Sequence, residues 1–283
     1  MFKPLKTLFD TQQLHTDTWH HPSSSTWYEA RNRYELVRSQ FFQRYEIEFA
    51  PPLVMDGMWA DGWRHFGSHF FRDQYNVEGV RLVRVIPLRI RVSEFMSSKS
   101  QRKLIRKNQD LRVEIKQTQL TEHHHQLFKQ HRDRFKKNKP SKLHDFISPR
   151  VNLNPCQTMM CNVWEQNTLV ATSFLDIGHQ SASSVYAMFD LKYSHRRLGI
   201  YTLLLELMYA QEMGLSYLYT GYAHTKPSFY EYKKQFSATE FYNWKGQWLP
   251  LEELDAYTFP QHRYEIEDIP QEFLVEDEEG DEE

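Results

Sequence analysis

Basic residues are concentrated in a short segment near the middle of the chain. Segment 97–111 reads SSKSQRKLIRKNQDL, and its charges are spaced so that a helix would gather them along one side. These residues are Lys99, Arg102, Lys103, Arg106 and Lys107. Clustered Lys and Arg gain affinity for a line of phosphates by releasing condensed counterions. The segment therefore predicts a phosphate-binding surface, with an ordinary solvated helix face as the alternative.

A second basic segment spans residues 120–142, where a helix ending by Pro140 is predicted. One acid, Asp133, stands among its basic residues, which are Lys129, Arg132, Arg134, Lys136, Lys137, Lys139 and Lys142. The consecutive histidines at 123–125 diverge by about 100° each on a helix and cannot share a tetrahedral metal ion. The segment predicts a second basic surface and no metal site.

The overall composition predicts a folded protein with a basic body and an acidic tail. The 283 residues are 40% apolar and 15% aromatic, which is enough for a core in one large or two small domains. The last eight residues, from Glu276, contain seven acids, and removing seven negative charges from the net −2 leaves +5 on the rest. Because like charges repel and bury no apolar surface, we predict that this tail is disordered.

Cysteine content and hydropathy predict a cytoplasmic protein that does not enter a membrane. Two cysteines, Cys156 and Cys161, cannot form a disulfide framework, and both lie near a predicted strand where buried reduced thiols are common. The N-terminal segment MFKPLKTLFDTQQL lacks the apolar core of a secretion signal. No window approaches 18 uncharged apolar residues, so no transmembrane segment is expected.

Hydrophobic periodicity predicts the elements that must position these charges. Residues 26–46 carry apolar side chains at intervals near 3.6, which indicates a helix, and residues 80–92 alternate as in a strand. Three strands joined by short turns are expected within residues 158–190, as an antiparallel meander. A largely buried helix is predicted over 198–213, stopped by Gly214, and the strand LSYLYTGY follows.

This order of elements, with HRRLGIY opening the buried helix, resembles the GNAT acyltransferase fold. In that fold an R-x-x-G-x-G/A turn offers backbone N–H groups at a helix N-terminus to a pyrophosphate. The resemblance assigns Arg196, Arg197 and Gly199 to this phosphate-binding turn. Tyr201 replaces the last small residue of the motif and would crowd a phosphate. A CoA-dependent N-acyltransferase is therefore one alternative function.

Four longer motifs in a fixed order resemble the aminoacyl-tRNA protein transferases of the N-degron pathway. They are DGWRHFGSHFF, FMSSKSQRKLIRKNQDL, SHRRLGIYTLLLELMYAQEMGLSYLYTGYAH and FYEYKKQFSATEFY, and they fall within residues 55–250. This family includes arginyltransferase and its bacterial leucyltransferase relatives. The resemblance implies a GNAT-like catalytic half that moves Arg or Leu from charged tRNA to the N-terminal amine of an acceptor protein. The basic segment at 97–111 would then contact the tRNA.

The sequence departs from the family where a cysteine cluster usually precedes the S-[RK]-S-Q-[RK] motif. Counting back from Phe95, the corresponding positions fall at about Gly79, Leu82 and Val85. Without thiolates, these positions predict neither a zinc ion nor an iron–sulfur cluster. The resemblance therefore leaves open which N-termini are accepted, and a catalytically silent tRNA-binding adaptor is a second alternative.

The implied reaction is attack of a neutral amine on an aminoacyl ester, which needs a proton acceptor and donors near the developing oxyanion. Asp190, at the acid of the family's Y-D stretch, is the expected base, with capping of the next turn as the alternative. Tyr222 and His224 would orient the amine or donate to the carbonyl oxygen. Tyr232 and Lys233 match the family's Y-K pair and would contact the terminal phosphates or ribose of the tRNA.

The sequence as a whole predicts an α/β protein with a GNAT-like domain over residues 95–255 and a mixed, mainly antiparallel sheet. A small accessory region, 1–94, precedes this domain, and an extension with the acidic tail, 256–283, follows it. Glu206, midway along the buried helix, is interpreted as a core acid or an outward-facing residue and left out of the site. No cofactor is expected beyond aminoacyl-tRNA as co-substrate, because an activated ester needs no metal.

Overall fold

The computed structural model describes residues 41–78, 81–135 and 139–259. The strands are β1 (Phe42–Glu46), β2 (Arg64–Phe66), β3 (His69–Asp73), β4 (Tyr75–Glu78), β5 (Arg81–Arg91), β6 (Arg112–Gln117), β7 (Gln157–Glu165), β8 (Thr168–Ile177), β9 (Ser181–Phe189), β10 (Tyr217–His224), β11 (Thr239–Tyr242) and β12 (Trp248–Pro250). The α-helices are α1 (Pro52–Ala60), α2 (Lys99–Lys107), α3 (Glu122–Arg132) and α4 (Leu198–Glu212). Short 3₁₀ turns cover Val92–Glu94, Leu143–Asp145, Leu191–Arg196, Phe229–Gln235 and Leu251–Glu253.

Two sheets organise these elements. The larger sheet has nine strands in the order β12-β11-β5-β10-β9-β8-β7-β6, with β4 paired to β5, and the smaller one has the order β1-β3-β2. Strands β9 and β10 pair in parallel, while their neighbours in the larger sheet pair antiparallel. The predicted α/β class, with a mixed and mainly antiparallel sheet, is therefore confirmed, and so is the meander of β7, β8 and β9.

The parallel pair of strands opens a gap in the larger sheet. Strands β9 and β10 pair only from Tyr217 to Tyr219, opposite Ser181 to Ser183. Beyond these residues β9 continues to Phe189 and β10 continues to His224 without pairing to each other. Main-chain groups and side chains of both strands therefore face a shared space.

Helix α4 packs against the sheet beside this gap. Most of its side chains are buried, including Leu198, Leu204 and Leu207, which belong to the main hydrophobic core with residues of β7, β8 and α2. Since nearly the whole circumference is apolar, burial on several sides stabilises the helix, as the sequence predicted. Tyr201, expected to crowd a phosphate, lies in this core.

Helix α2 is the predicted basic helix, and its start is fixed by a reciprocal cap. The Ser98 hydroxyl accepts from the Gln101 main-chain N–H at 3.2 Å, and the Gln101 side chain accepts from the Ser98 N–H at 2.8 Å. Leu104 is buried beneath the helix. The second basic helix, α3, ends at Arg132, well before Pro140.

The prediction of a helix over residues 26–46 is wrong at its C-terminal end. Residues Phe42–Glu46 form strand β1, which pairs antiparallel with β3, while residues 26–40 lie outside the described residues. Pairing with a strand that lies some 30 residues later in the chain overrides the local helical pattern here. The acidic tail also lies outside the described residues.

Strand β5 joins the N-terminal region to the rest of the protein. It lies between β10 and β11 in the larger sheet, although its residues precede the predicted domain boundary at residue 94. Ile86, Leu88 and Ile90 are buried on one face of the strand, and Val85 is buried on the other. The two predicted regions therefore share one sheet. None of the helices within the described ranges is long and apolar enough to cross a membrane.

Candidate functional site

A cavity of about 440 Å³ lies where strands β9 and β10 diverge. Its walls come from β2, from residues 184–187 of β9, from the first turns of α4, from residues 220–222 of β10 and from the turn at 229–233. Much of the lining is apolar or aromatic: Phe66, Phe71, Phe135, Phe146, Tyr186, Phe189, Leu198, Ile200, Leu203, Phe229, Tyr230 and Tyr232. A cavity of this kind suits an apolar group held among a few polar ones.

The charged side chains of the lining are mostly cationic. They are Arg64, Arg134, Arg197 and Lys233, against the single carboxylate of Glu206. The two histidines of the lining add no positive charge near neutral pH, because burial lowers the pKa of His65 to about 3 and that of His131 to about 4. The described lining therefore carries an excess of positive charge.

Arg64, the arginine of the DGWRHFG motif, enters the cavity from β2. Its guanidinium donates to the Ser183 hydroxyl and to the Ser184 main-chain oxygen, both at 2.7 Å. These bonds attach the N-terminal region to β9 at the point where β9 leaves its partner. Burial is the main cause that lowers the pKa of Arg64 to about 10, so the side chain stays a cation at neutral pH.

His65, beside Arg64, lies against a buried acid, Asp176. Its Nδ1 lies 3.1 Å from the Gly67 main-chain oxygen and its Nε2 lies 3.3 Å from Oδ2 of Asp176. Burial, followed by the positive charge of Arg64, lowers the pKa of His65, whereas burial raises the pKa of Asp176 to about 7. A neutral His65 donates from Nδ1 to Gly67, which leaves Nε2 as the acceptor that faces Asp176.

Glu206 is the acid of the cavity, although the sequence analysis left it out of the site. It is only 1% exposed, and its two oxygens have no direct hydrogen-bond partner within the described residues. Burial raises its pKa to about 7, against the opposing effects of the Ser184 and Ser173 hydroxyls and of Arg64. An acid in this position holds a proton near neutral pH far more readily than a surface glutamate does.

Lys233 reaches the cavity from the turn that follows β10. Its Nζ donates to the Tyr222 main-chain oxygen at 3.1 Å. A Cβ at Gly221 would lie 2.9 Å from this Nζ, and Gly221 has φ of +91°, so glycine is needed there for both backbone conformation and space. Burial, with a further effect of the Arg64 charge, lowers the pKa of Lys233 to about 7, and Glu206 opposes this shift.

Five of the predicted site residues line the cavity: Arg197, Gly199, Tyr222, Tyr232 and Lys233. Arg197 adopts the left-handed conformation at the start of α4, and a Cβ at Gly199 would lie 3.1 Å from the Phe189 ring. The Tyr222 hydroxyl donates to the Gly62 main-chain oxygen at 2.9 Å and accepts from the Asp73 N–H at 3.2 Å. Tyr222 thus fastens β10 to the N-terminal region.

The other predicted residues of the chemistry lie outside the cavity lining. An Asp190 carboxylate oxygen accepts from the Lys192 N–H at 2.9 Å, which supports the capping alternative for this residue. His224 is two residues beyond Tyr222 on β10, and its ring lies 5.6 Å from the Tyr230 ring. Arg196 donates to both carboxylate oxygens of Asp110, at 2.9 and 2.8 Å, and to Glu165 at 3.2 Å. These two carboxylates hold its guanidinium.

The basic side chains of α2 are exposed: Lys99, Arg102, Lys103, Arg106 and Lys107. The end of this helix is fixed to the turn that leads into α4. The Lys107 Nζ donates to the His195 main-chain oxygen at 2.6 Å, and the Asn108 side-chain amide donates to the Arg196 main-chain oxygen at 3.1 Å. The basic surface is therefore connected to the turn whose Arg197 lines the cavity.

The sequence reasoning missed Arg64, Arg134 and Glu206 as members of one site. Two of them could have been found from the sequence. Arg64 lies inside a family motif, and Glu206 is a lone acid inside an apolar helix. Arg134 contacts the rings of Phe135, Phe189 and Phe229 at about 5 Å and was assigned only to a basic surface. Only the tertiary structure brings the three side chains to one cavity.

Metal-binding groups and reactive thiols are not part of this cavity. Within residues 41–78, 81–135 and 139–259, no group of three or more His, Cys, Asp or Glu residues could hold a metal ion. Cys156 and Cys161 are free and buried, and burial raises the pKa of both thiols. Val85, one position of the family's cysteine cluster, is fully buried in the sheet.

Comparisons with known proteins agree with the motifs. Residues 117–243 match the family model of the arginine-tRNA-protein transferase C terminus. An aspartate/glutamate leucyltransferase of Campylobacter jejuni is 27% identical over 208 residues, covering 72% of this chain and 85% of that protein. The enzyme of the same name from Acinetobacter baumannii is 27% identical over 199 residues, covering 67% of this chain and 69% of that protein.

Among solved structures, that of L-PGS from Bacillus licheniformis matches with a TM-score of 0.35 and 14% identity, covering 65% of this chain and 54% of that one. A likeness at this level carries no argument, so the fold rests on the strand order described above. The ordered motifs, the matching family model and the leucyltransferase relatives point the same way. Together they support an aminoacyl-tRNA protein transferase, an enzyme that moves an amino acid from charged tRNA to the N-terminus of a protein.

Proposed function

We propose that this enzyme transfers leucine, and not arginine, from leucyl-tRNA to proteins whose N-terminal residue is aspartate or glutamate. The observation that carries the proposal is the charge and polarity of the cavity lining, which combines aromatic and aliphatic walls with three arginines, the amine of Lys233 and one carboxylate. Aminoacyl-tRNA is the co-substrate, and the reaction needs no further cofactor because the aminoacyl ester is already activated.

The lining favours an apolar donor side chain over a guanidinium. An arginyl group would enter a space that already holds the guanidinium groups of Arg64, Arg134 and Arg197. Glu206, the only acid among the described residues of the lining, has a pKa raised to about 7 by burial and is a weak counter-ion near neutral pH. A cation moved from water into such surroundings loses solvation without gaining a matching partner. A leucyl side chain instead gains from contact with the apolar walls.

The same excess of positive charge favours an acidic acceptor. An N-terminal aspartate or glutamate brings a carboxylate, which a partly buried arginine binds with charge-assisted hydrogen bonds. Arg134 is the best placed to do so, because its guanidinium faces aromatic rings and forms no ion pair within 4.0 Å inside the described ranges. The relatives from C. jejuni and A. baumannii are named for leucine transfer to aspartate and glutamate, which supports the same assignment.

The exposed row of α2 and the turn into α4 are proposed to hold the tRNA. The Lys107 contact with His195 connects this row to Arg197 at the cavity. Phosphates bound along α2 would thus lead the acceptor end of the tRNA towards the site where its ester must react. Such contacts act mainly through charge and predict strongly salt-dependent binding.

The test combines two donors with four acceptors. Purified protein is mixed with tRNA charged with radioactive leucine or arginine, and with peptides that begin with Asp, Glu, Lys or Met. We expect label from leucyl-tRNA on the Asp and Glu peptides. Transfer of arginine would overturn the donor assignment, and label that stays on bound tRNA in every mixture would identify a silent adaptor.

A variant sharpens the acceptor assignment. Arg134→Gln should lower the preference for an Asp peptide over its isosteric Asn counterpart, measured as the ratio of the two kcat/KM values. Arg112→Gln is the matched control, because Arg112 is exposed on β6 and lies outside the cavity lining. An unchanged ratio in Arg134→Gln would remove this arginine from acceptor recognition.

A further inference from the structure

Two adjacent lysines of the turn after β10 lie in opposite electrostatic settings. Lys234 forms an ion pair with Glu231 at 2.8 Å. Lys233 lines the cavity, where its Nζ donates to the Tyr222 main-chain oxygen at 3.1 Å and lies 5.1 Å from the centre of the Tyr230 ring. Within the described ranges, no carboxylate lies within 4.0 Å of this Nζ.

The groups that face Lys233 come from several elements and do little to stabilise its charge. Arg64 of β2 lies against the same glycine, with Nη2 and Nε at 3.6 and 3.9 Å from the Cβ position of Gly221. Glu206 of α4 is the opposing charge, the Tyr222 main-chain oxygen of β10 accepts from Nζ, and the Tyr230 ring lies 5.1 Å from Nζ. Burial and the Arg64 charge together outweigh Glu206, which brings the pKa of Lys233 to about 7.

We propose that the neutral amine of Lys233 accepts the proton released by the acceptor's α-amine and returns it to the ribose oxygen that leaves. This inference rests on the proposed transfer reaction and holds for either donor amino acid. It replaces the sequence-based interpretation of Lys233 as a ligand of tRNA phosphate or ribose.

The proton balance of the reaction closes through one side chain. The α-amine lone pair forms the N–C bond to the ester carbonyl carbon, and the carbonyl π pair moves to its oxygen. The new ammonium passes one proton to Lys233 Nζ. The tetrahedral intermediate then expels the ribose oxygen, which takes that proton from Nζ as the C–O bond breaks. Lys233 returns to its neutral form, and no other reactant is needed.

Other candidate bases of the site are less suited to this task. Asp190 lies outside the lining and caps a turn, and Glu206 is too deeply buried, at 1% exposure, to touch a substrate. The His65 and His131 rings are bound to main-chain oxygens and have pKa values near 3 and 4. General-base catalysis works best when the pKa lies near the working pH. Glu206 and Lys233 both have a pKa of about 7, and Lys233 is the more exposed of the two.

The charge state of Lys233 can be measured without any transfer activity. Protein labelled with ¹³C at lysine Cε is titrated by NMR, and the Lys233 signal is assigned by its loss in Lys233→Met. We expect this one signal to titrate near pH 7, about three units below an ordinary lysine. A Lys233 signal that titrates near pH 10 would overturn the proposal, because the amine would then be charged during turnover.

Single-turnover transfer at saturating aminoacyl-tRNA tests the role itself. Lys233→Met should lower the rate by about 10²-fold or more. Lys233→Arg should lose as much, because a guanidinium keeps its proton. Binding of tRNA should be unchanged in both variants, and the matched control Lys234→Met should keep the wild-type rate.

The pH profile separates proton transfer from a merely structural effect. The wild-type rate should reflect both Lys233 and the α-amine of the peptide, whose own pKa is about 8. Only the ionisation of the α-amine should remain in Lys233→Met. A Lys233→Arg variant that keeps the wild-type rate would overturn the proposal in favour of a purely electrostatic role. If the wild-type enzyme transferred no amino acid at all, both the proposed function and the role of Lys233 would be overturned. A Lys233 signal that titrates near pH 10 would overturn only the role of Lys233.

Discussion

The protein presents its charges in two contrasting settings, the exposed basic row of α2 and the buried group formed by Arg64, Glu206 and Lys233. Water and salt screen the charges of α2, so each contributes little and the row acts as a sum. Burial displaces the pKa of each side chain in the cavity group, and the three side chains influence one another. A single change in the cavity should therefore have a larger effect than a single change on the helix.

The largest effect is expected when the space beside Lys233 is filled. Gly221→Ala adds a Cβ at 2.9 Å from the Lys233 Nζ, at a residue whose φ is +91°. The lysine must move away from the Tyr222 main-chain oxygen, and a displacement of about 1 Å in a reacting group lowers the rate by roughly 10²-fold. Single-turnover transfer and thermal unfolding should be measured on the same samples.

Gly246→Ala is the matched control for Gly221→Ala. Gly246 also has a positive φ, +87°, but a Cβ there meets nothing within 4 Å. Both variants should lose stability from backbone strain, of about 1 kcal/mol, and only Gly221→Ala should lose transfer. Equal rates in the two variants would show that the position of Lys233 does not limit the reaction.

The next prediction concerns Glu206 and the pH dependence of the free energy of unfolding. The folded-state pKa of Glu206 is about 7, above its usual value of 4.5. Protonation of Glu206 therefore favours the folded state fully below pH 4.5, and this contribution is lost as the pH rises through 7. Glu206→Gln removes that dependence, so the free energy of unfolding of the variant relative to wild type should rise by about 2–3 kcal/mol between pH 5 and pH 8.

Chemical denaturation at several pH values checks this difference. Asp176 also has a raised pKa, but its contribution is present in both proteins and is removed by the comparison. Glu212→Gln, which changes an exposed acid at the end of the same helix, is the control and should give a flat difference. A flat difference for Glu206→Gln too would mean that Glu206 is ionised at little cost in the folded protein.

Local sequence patterns predicted the elements of this fold better than they predicted its site. The meander of β7 to β9 and the buried helix α4 follow from the spacing of apolar residues and short turns, so the sequence pattern alone reveals them. Strand β1 depends on pairing with β3, which no local pattern contains, and the helical periodicity misled the prediction there.

The cavity depends on the divergence of β9 and β10, which no local sequence pattern contains. Lys233 was placed in the site with a different role, because a family motif gives no information on burial. Asp190 is near the phosphate turn along the chain, yet its carboxylate caps the 3₁₀ turn at Leu191–Arg196. Arg64 and Glu206 lie 142 positions apart in the sequence and meet only through tertiary packing.

A smaller effect is expected from changes in the exposed basic row of α2. The double variant Lys103→Gln, Arg106→Gln removes two exposed charges from α2 without touching its cap. Affinity for tRNA should fall roughly tenfold near physiological salt, and the slope of log K against log salt should fall by about two. Filter binding at several salt concentrations measures both.

Transfer at saturating tRNA should be unchanged in this double variant, because the cavity is intact. Lys116→Gln, an exposed lysine on β6, is the control and should leave the affinity unchanged. A lower rate at saturation would contradict the separation between the exposed charges and the buried ones.

The smallest effect is expected at Arg196, an arginine that the sequence analysis assigned to phosphate binding. Its guanidinium is held by both oxygens of Asp110 and by Glu165. A phosphate would have to compete with two carboxylates, so Arg196→Gln should change tRNA affinity by less than about twofold. Asp110→Asn tests the same point from the other side, because Glu165 still holds the guanidinium. If Asp110→Asn tightened tRNA binding with a steeper salt slope, Arg196 would have to reach a phosphate once released, and the basic row would extend from α2 to the mouth of the cavity.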